Sequence, residues 1–178
     1  AFKMVADTLK AKGVPDASDT LVQRGHKLPL TAVALVRDTV AFTASKDGSV
    51  LRWDLTKGTK ERIFPKEGKV GPCIHALAAS SDGRFVAMGG KDQLVHVWDD
   101  KETVVAQSFK GHRGAVSCLA FQQGTRELFS GSHDRTIKIW NLDEMCYVET
   151  LFGHQSEVMG IASLIKERCV TAGRDRSV

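Results

Sequence analysis

Residues 111–140 read GHRGAVSCLAFQQGTRELFSGSHDRTIKIW, and the fold of the chain follows from this stretch. It opens on a Gly-His pair, passes through an apolar run and a run of small residues, and closes on an alternating segment that ends at Trp140. A polar turn with Asp134 precedes that last segment. Apolar or β-branched segments joined by polar turns predict antiparallel strands. With a fourth segment, YVETLF at residues 147–152, the unit predicts a four-stranded sheet.

The same unit recurs along the chain at intervals of about 43 residues. Its tryptophans are Trp53, Trp98 and Trp140. Each follows an aspartate by six positions, and these aspartates are Asp47, Asp92 and Asp134. Gly-His pairs at residues 25–26, 111–112 and 153–154 share the period, with one pair missing from the register. A repeat of about 40–45 residues with Gly-His and a terminal Trp is typical of WD40 repeats. The chain therefore resembles the WD40 family, which implies an all-β propeller.

This resemblance implies a chain of buried hydrogen bonds in each repeat, because WD40 sheets join a loop His, a strand Ser or Thr, a turn Asp and a strand Trp in series. In the first repeat the members are His26, Thr43, Asp47 and Trp53. In the third they are His112, Ser130, Asp134 and Trp140, and the fourth retains His154, Thr171 and Asp175. Loss of one member would leave buried partners without hydrogen bonds. Since the His–Asp pairs recur at a fixed register, we interpret them as structural rather than catalytic.

The second repeat departs from the pattern. Its retained members are Asp92 and Trp98. Val70 stands where the loop His is expected and Met88 where Ser or Thr is expected, so we predict that packing alone holds this sheet together. We interpret His75 and His96 as packing or surface residues, because no carboxylate lies at a useful spacing from either.

The repeats divide the chain into two predicted parts, a leader and a propeller. Residues 1–18 are expected to form a short helical leader, ended by Gly13 and Pro15. Residues 19–178 are expected to form an incomplete propeller, with an outer strand at 19–24 that would complete the last blade of a closed ring. We expect the blades at about 25–65, 70–110, 111–152 and 153–178. Because WD40 propellers usually have seven blades, three blades and most of a fourth predict a partial ring, continued by C-terminal blades of a larger protein.

Composition and motifs reduce the number of functional classes to which the chain could belong. The cysteines Cys73, Cys118, Cys146 and Cys169 show neither a C-x-x-C pair nor metal-ligand spacing, and they predict free buried thiols, with no metal and no cofactor. The chain has no apolar run long enough to cross a membrane and no signal-peptide pattern. It also lacks a G-x-S-x-G motif. We therefore expect no enzymatic activity, no small-molecule substrate and no membrane partner.

Three segments carry a closer resemblance than the repeat itself. They are SGSHDRTIKIWN at residues 130–141, YVETLFGHQ at 147–155 and RCVTAGRD at 168–175. With these segments, residues 20–178 resemble the WD-repeat proteins of the U3 small nucleolar ribonucleoprotein. That resemblance implies a non-catalytic nucleolar subunit that binds the U3 small nucleolar RNA together with the box C/D core proteins. It also implies a place in the small-subunit processome, where early cleavages of pre-rRNA yield 18S rRNA.

Charge placement suggests where such a partner would bind. The net charge is +4 at pH 7, and basic residues flank the turn aspartates or follow the Gly-His pairs. The candidates for contact with RNA or a partner are Lys27, Lys46, Lys91, Arg113, His133, Arg135 and Arg174. Among them His133 and Arg135 form the strongest pair, since both side chains stack on bases as well as binding phosphate.

Two alternatives remain open at this stage. Basic turn residues are often only solubilising, and a protein partner on the same rim would use the same side chains. A generic WD40 scaffold for protein–protein interactions therefore competes with the ribonucleoprotein function, because a fold does not determine its function.

Overall fold

The computed structural model describes residues 24–36, 39–65, 71–163 and 169–178. The regular structure of these residues is 14 β-strands, and no α-helix occurs among them. None of the described residues forms a helix that could span a membrane. The predicted helical leader at residues 1–18 and nearly all of the predicted outer strand at 19–24 lie outside the described residues.

The first two sheets are four-stranded antiparallel meanders, with strands in sequence order. The strands of sheet 1 are β1 (Leu30–Val36), β2 (Val40–Ser45), β3 (Val50–Asp54) and β4 (Thr59–Phe64). Those of sheet 2 are β5 (Ile74–Ala79), β6 (Phe85–Gly90), β7 (Leu94–Asp99) and β8 (Val104–Lys110). In both sheets the second strand is the most buried, and the fourth is mostly exposed, as expected of an outer edge.

The third sheet repeats this topology and the fourth contains two described strands. The strands of sheet 3 are β9 (Val116–Phe121), β10 (Glu127–Ser132), β11 (Ile137–Asn141) and β12 (Cys146–Leu151). Those of sheet 4 are β13 (Val158–Ser163) and β14 (Cys169–Gly173). These antiparallel sheets confirm the predicted all-β, propeller-like fold.

The tight turn after the second strand of each sheet is built on its aspartate. In sheet 3, for example, Asp134 Oδ1 accepts the N–H of Thr136 at 3.0 Å, which closes an Asx turn. The residue between them takes a left-handed backbone conformation. The φ angles there are 75° at Gly48, 67° at Gln93, 71° at Arg135 and 67° at Arg176. The four turns therefore share one geometry, although only the first uses glycine at the strained position.

The core lies between neighbouring sheets and not within one of them. Sheets 1 and 2 enclose a cluster that includes Phe42 and Met88. Sheets 2 and 3 enclose a second cluster, in which the Phe109 ring stacks on the Trp140 ring with centroids 4.9 Å apart. Sheets 3 and 4 meet at a smaller cluster around Val158. Because each sheet is stabilised by its neighbours, the sheets behave as repeated units of one propeller-like body.

The first strands of successive sheets, β1, β5, β9 and β13, lie beside one another. The Thr31 hydroxyl donates to the Ile74 carbonyl at 2.7 Å, and the Ser117 hydroxyl donates to the Val158 carbonyl. Gly131 permits the close approach of sheets 3 and 4, since a Cβ there would fall 2.8 Å from Val158 Cγ1 of sheet 4. These contacts place the first strands innermost, around a common axis.

The two outermost sheet faces remain apolar and exposed. On sheet 1, Val33 and Leu35 are 65% and 66% exposed. On sheet 4, Met159 and Val170 are 56% and 60% exposed. The residues of sheet 3 at the register positions of Val33, Leu35 and Val170 are apolar and buried, so both faces have the composition of an interface between sheets.

Candidate nucleic-acid interface

Sheet 3 contains a full hydrogen-bonded relay. The Trp140 indole N–H donates to the Ser130 hydroxyl oxygen at 2.8 Å, and that oxygen lies 2.7 Å from His112 Nε2. His112 Nδ1 lies 2.9 Å from Asp134 Oδ2. Burial lowers the pKa of His112 and outweighs the opposing effect of Asp134, which keeps the imidazole neutral. A neutral ring donates from Nδ1 to the carboxylate and accepts the Ser130 hydroxyl at Nε2.

Sheet 1 forms the same relay with one hydroxyl inserted. The Trp53 indole N–H donates to the Thr43 hydroxyl oxygen at 2.7 Å, and His26 Nε2 lies 2.7 Å from the same oxygen. His26 Nδ1, however, lies 2.8 Å from the Ser49 hydroxyl and 3.7 Å from Asp47 Oδ1. The Ser49 hydroxyl donates to Asp47 at 2.5 Å and so carries the relay between the ring and the carboxylate.

Sheet 4 retains the members that lie on its two described strands and their turn. His154 Nε2 lies 2.9 Å from the Thr171 hydroxyl, and its Nδ1 lies 3.2 Å from Asp175 Oδ2. The Ser177 hydroxyl donates to Asp175 at 2.6 Å, which lowers the pKa of that carboxyl well below its ordinary range. The carboxylate is therefore ionised where it meets the imidazole.

The prediction that packing alone holds sheet 2 is wrong. His96 lies on β7, is buried, and places Nε2 2.7 Å from Asp92 Oδ2 and Nδ1 2.7 Å from the Ser108 hydroxyl. Asp92 and His96, four residues apart, can form this hydrogen bond because the tight turn directs the Asp92 side chain back along the start of β7. Trp98 differs: with buried Met88 at the Ser/Thr position, its Nε1 has no hydrogen-bond partner among the described residues.

The turn aspartates also hold the Gly-His loops. Asp47, Asp134 and Asp175 accept the backbone N–H of Lys27, Arg113 and Gln155 at 2.9, 2.8 and 2.6 Å. The Gly-His loops and the aspartate turns therefore lie on one rim, which we call the aspartate rim. Burial by itself raises the pKa of Asp134, but hydrogen bonds from Thr136, the Arg113 N–H and His112 lower it to about 2. A carboxylate so occupied is not placed to accept a substrate proton.

Four of the candidate residues directly precede the turn aspartates and lie next to the axis. These are Lys46, Lys91, His133 and Arg174, and all four are exposed. The backbone N–H of each donates to a carbonyl just before an innermost strand, at Pro29, Cys73, Ala115 and Glu157. Arg174 differs from the others because its guanidinium lies 3.7 Å from Glu157.

Three of these residues act electrostatically on one neighbour. The pKa of His75 is lowered by burial and, in addition, by His133, Lys46 and Lys91, which come from sheets 3, 1 and 2. We call these four residues the axial basic cluster. The structure thus brings together side chains that are more than 80 residues apart in the sequence. The participation of His75 was missed, because nothing in its local pattern shows that it faces the mouth of the axis.

The remaining candidates lie elsewhere on the aspartate rim. Arg113 and Arg135 line a groove of about 500 Å³ between sheets 3 and 4, together with Lys138 and Phe152. We call it the inter-sheet groove. Lys27 lies on sheet 1, beside Asp47. The predicted pair of His133 and Arg135 is therefore divided, with His133 facing the axis and Arg135 facing the groove.

The opposite rim has a different electrostatic character, which the sequence patterns did not predict. There Arg52 Nε lies 2.7 Å from Asp100 of the next sheet, and Arg84 lies 2.9 Å from Asp99. Arg126 bridges two carboxylates that face it from different turns. Its partners are Asp143 at 2.6 Å and Asp82 at 3.3 Å. The arginines of this rim are thus neutralised, and two of them join neighbouring sheets.

No reaction centre is evident in the described part of the chain. Its residues contain no group of three or more His, Cys, Asp or Glu side chains that could hold a metal ion. All four cysteines are free. A second cavity, of about 660 Å³, lies on the exposed face of sheet 1 and is lined mostly by apolar side chains such as Leu28, Leu30 and Leu55. The arrangement can bind a partner along its rims, and its His–Asp pairs serve the fold.

Comparison with protein families identifies the repeat. The family model described as "WD domain, G-beta repeat" matches residues 61–99 and 103–141. Among curated proteins, the U3 snoRNP-associated protein-like YAO of Arabidopsis thaliana is 45% identical over 193 residues, covering 99% of this chain and 38% of that protein. The human U3 small nucleolar RNA-interacting protein 2 is 43% identical over 137 residues, covering 72% of this chain and 28% of that protein. The chain therefore spans less than two-fifths of the length of these relatives.

A solved structure agrees with both sequence matches. The structure described as U3-55K superimposes with a TM-score of 0.83 at 42% sequence identity, covering 89% of this chain and 50% of that one. At 42% identity, the chain resembles this structure in sequence as well as in fold. These findings confirm the resemblance drawn from residues 130–175.

Proposed function

Since this chain carries WD40 repeats and has homologues among the U3 snoRNP-associated proteins, we propose that it is a non-catalytic subunit of the U3 small nucleolar ribonucleoprotein. In this proposal the chain contacts the U3 small nucleolar RNA through its aspartate rim. The axial basic cluster and the arginines of the inter-sheet groove supply the contacts to RNA phosphates.

One observation supports the aspartate rim, rather than the opposite rim, as the surface that contacts RNA. The side chains of Lys46, Lys91, Arg113 and Arg135 form no ion pair among the described residues, whereas Arg52, Arg84 and Arg126 on the opposite rim are all paired with carboxylates. An RNA backbone gains most from cations that are not already neutralised, because each contact then releases a condensed counterion. The two rims thus differ in their free positive charge, and the aspartate rim has the excess.

The wider assignment follows the names of the homologues and the earlier resemblance. We propose that the protein works in the nucleolus with the box C/D core proteins and the small-subunit processome, where it supports processing of 18S pre-rRNA. Neighbouring protein subunits would then use the surfaces that the RNA leaves free.

We also propose that the four sheets belong to a closed ring of seven blades. The exposed apolar faces of sheets 1 and 4 support this, since Val33, Leu35 and Val170 lie where sheet 3 buries the equivalent side chains. In the closed ring further sheets would cover both faces, as expected of a propeller that leaves no open edge.

Co-purification tests the proposed function. A tagged full-length protein isolated from nuclear extract should enrich the U3 small nucleolar RNA over other small nucleolar RNAs, and the recovery should fall as salt increases. The variant K46A/K91A should recover less U3 RNA than wild type. The matched variant R52A/R84A, with two cations removed from the opposite rim, should recover as much as wild type. Recovery of proteins alone, unchanged by nuclease treatment, would contradict the proposal and favour the generic WD40 scaffold.

A further inference from the structure

The inter-sheet groove has a lining unlike that of the rest of the rim. Three cationic side chains, those of Arg113, Arg135 and Lys138, border it together with one aromatic ring, that of Phe152. Its single lining carboxylate belongs to Asp134, and both oxygens of that group already accept hydrogen bonds from within the protein. The groove therefore has positive charge to offer, and its one lining carboxylate is already engaged within the protein.

Phe152 is the most exposed aromatic side chain among the described residues, at 81%. It directly precedes the Gly-His pair of the fourth repeat, and Lys110 occupies the same position in the third. Lys110, at the end of β8, is also exposed, although the sheet that it leads into has all four strands. The register position therefore points to solvent in a complete sheet, and an aromatic ring there is held at the surface rather than packed in the core.

The cations of the groove are differently constrained. Lys138 Nζ donates to the Thr150 hydroxyl at 2.7 Å and lies 5.2 Å from the Tyr147 ring centroid, so it is fixed on the groove wall. Arg113 is anchored by its backbone N–H to Asp134, and its guanidinium has no ion pair among the described residues. Arg135 is likewise unpaired in that part of the chain and is held in the turn by its left-handed backbone. Two guanidinium groups are thus presented from a rigid frame.

We propose that the inter-sheet groove binds one unpaired nucleotide of single-stranded RNA, with the base stacked on Phe152 and the flanking phosphates bound by Arg113 and Arg135. An exposed aromatic ring beside unpaired guanidinium groups matches the two chemical parts of a nucleotide, and base–aromatic stacking accepts any base. A volume of about 500 Å³ is sufficient for one base with its ribose and phosphate. This inference rests on the proposed function and deepens it by naming the RNA element that the groove reads.

Oligonucleotide binding by the full-length protein tests the groove. The probes are a fluorescein-labelled ten-nucleotide uridine RNA and a perfectly paired RNA duplex of the same length, measured by fluorescence anisotropy. F152A should weaken binding of the single strand about tenfold, the effect of losing one stacked base. Binding of the duplex should change little. F152Y keeps an aromatic ring and should restore affinity for the single strand, whereas K110A, the change at the equivalent position of the third repeat, should leave it unchanged.

The outcomes separate the groove from the proposed function. If wild-type protein co-purifies with U3 RNA but F152A binds the single strand as well as K110A does, the nucleotide site is wrong and the proposed function stands. If R113A/R135A weakens binding while F152A does not, the groove recognises an anion without a base, and the proposal is again overturned. Loss on F152A with rescue by F152Y supports the nucleotide site even if U3 RNA is not enriched. Thermal melts of each variant should match wild type, because all four side chains that the variants change are exposed.

Discussion

In sheet 3 a single carboxylate joins three segments of the repeat. Asp134 accepts the Thr136 N–H and hydroxyl at one oxygen, and the His112 ring and Arg113 N–H at the other. Its pKa is lowered to about 2 by these bonds, against the effect of burial. The aspartate therefore fixes the turn, the Gly-His loop and the relay at once, so its removal should affect folding before it affects binding.

Asp134→Ala and Arg135→Ala make a matched pair of neighbouring turn substitutions. Asp134→Ala should destabilise the protein by about 2–3 kcal/mol, because it leaves buried His112 and two backbone donors without their acceptor. Arg135→Ala should leave the midpoint of thermal unfolding unchanged and weaken RNA binding, since the guanidinium is exposed. Melts followed by circular dichroism check the first effect and anisotropy checks the second. The reverse order of stabilities would show that the structural and surface roles are wrongly assigned.

At this scale the sequence predicted the relay members that recur at fixed register and missed those that do not. His112, Ser130 and Asp134 were found because their spacing repeats. Ser49 was missed because its hydroxyl bridges His26 and Asp47 only through the closeness of the turn to the loop. His96 was misread because a His–Asp spacing of four becomes productive only when the turn geometry is known.

Sheet 2 shows how one strand-and-turn unit tolerates a broken relay. His96 on β7 takes the place beside the carboxylate that a loop histidine takes in sheets 3 and 4, so the turn aspartate Asp92 keeps a histidine partner. The Trp98 indole N–H gains nothing from this exchange and stays without a partner among the described residues. The tryptophan at this register position therefore lacks its indole hydrogen bond in sheet 2 and makes it in sheet 3.

Substitution of each tryptophan by Phe isolates the value of that bond. Trp98→Phe removes packed area alone, whereas Trp140→Phe removes similar area and also the bond to Ser130. Trp140→Phe should therefore cost about 1 kcal/mol more in the free energy of unfolding than Trp98→Phe. Urea unfolding of the two variants and of Trp53→Phe, which also loses a bond, measures the difference. Equal losses at all three positions would mean that the relay bonds add nothing to stability.

Strand positions were largely predictable, because the alternation of apolar residues and the turn residues act locally. The fourth strand expected at residues 147–152, for example, is β12 at Cys146–Leu151, one residue earlier. The ion pairs between sheets were not predictable. Arg52 and Asp100 are 48 residues apart, Arg126 and Asp82 are 44 apart, and neither pair belongs to a local pattern. Such contacts depend on how neighbouring sheets are rotated, which no single repeat specifies.

Across the whole molecule, the two rims use their cations in opposite ways. The arginines of the opposite rim pair with carboxylates of the same and neighbouring sheets, which helps to orient the sheets. The energetic gain is modest, since exposed ion pairs contribute about 0–1 kcal/mol. The aspartate rim ties down its carboxylates through histidines, hydroxyls and backbone N–H groups instead. Four of its cations, Lys46, Lys91, Arg113 and Arg135, form no ion pair among the described residues, so the relay that builds each sheet also leaves these side chains available to a partner.

Salt titration of RNA binding tests this division at the same scale. For single-stranded RNA the slope of log K against log salt is about −0.7 for each phosphate neutralised. If Lys46 and Lys91 each contact one phosphate, the K46A/K91A variant should have a slope shallower by about 1.4 than wild type. The R52A/R126A variant also loses two positive charges, yet its slope should stay unchanged, because those arginines are engaged by Asp100 and Asp143. Equal changes in slope for both variants would show that net charge, rather than its placement on the aspartate rim, governs RNA binding.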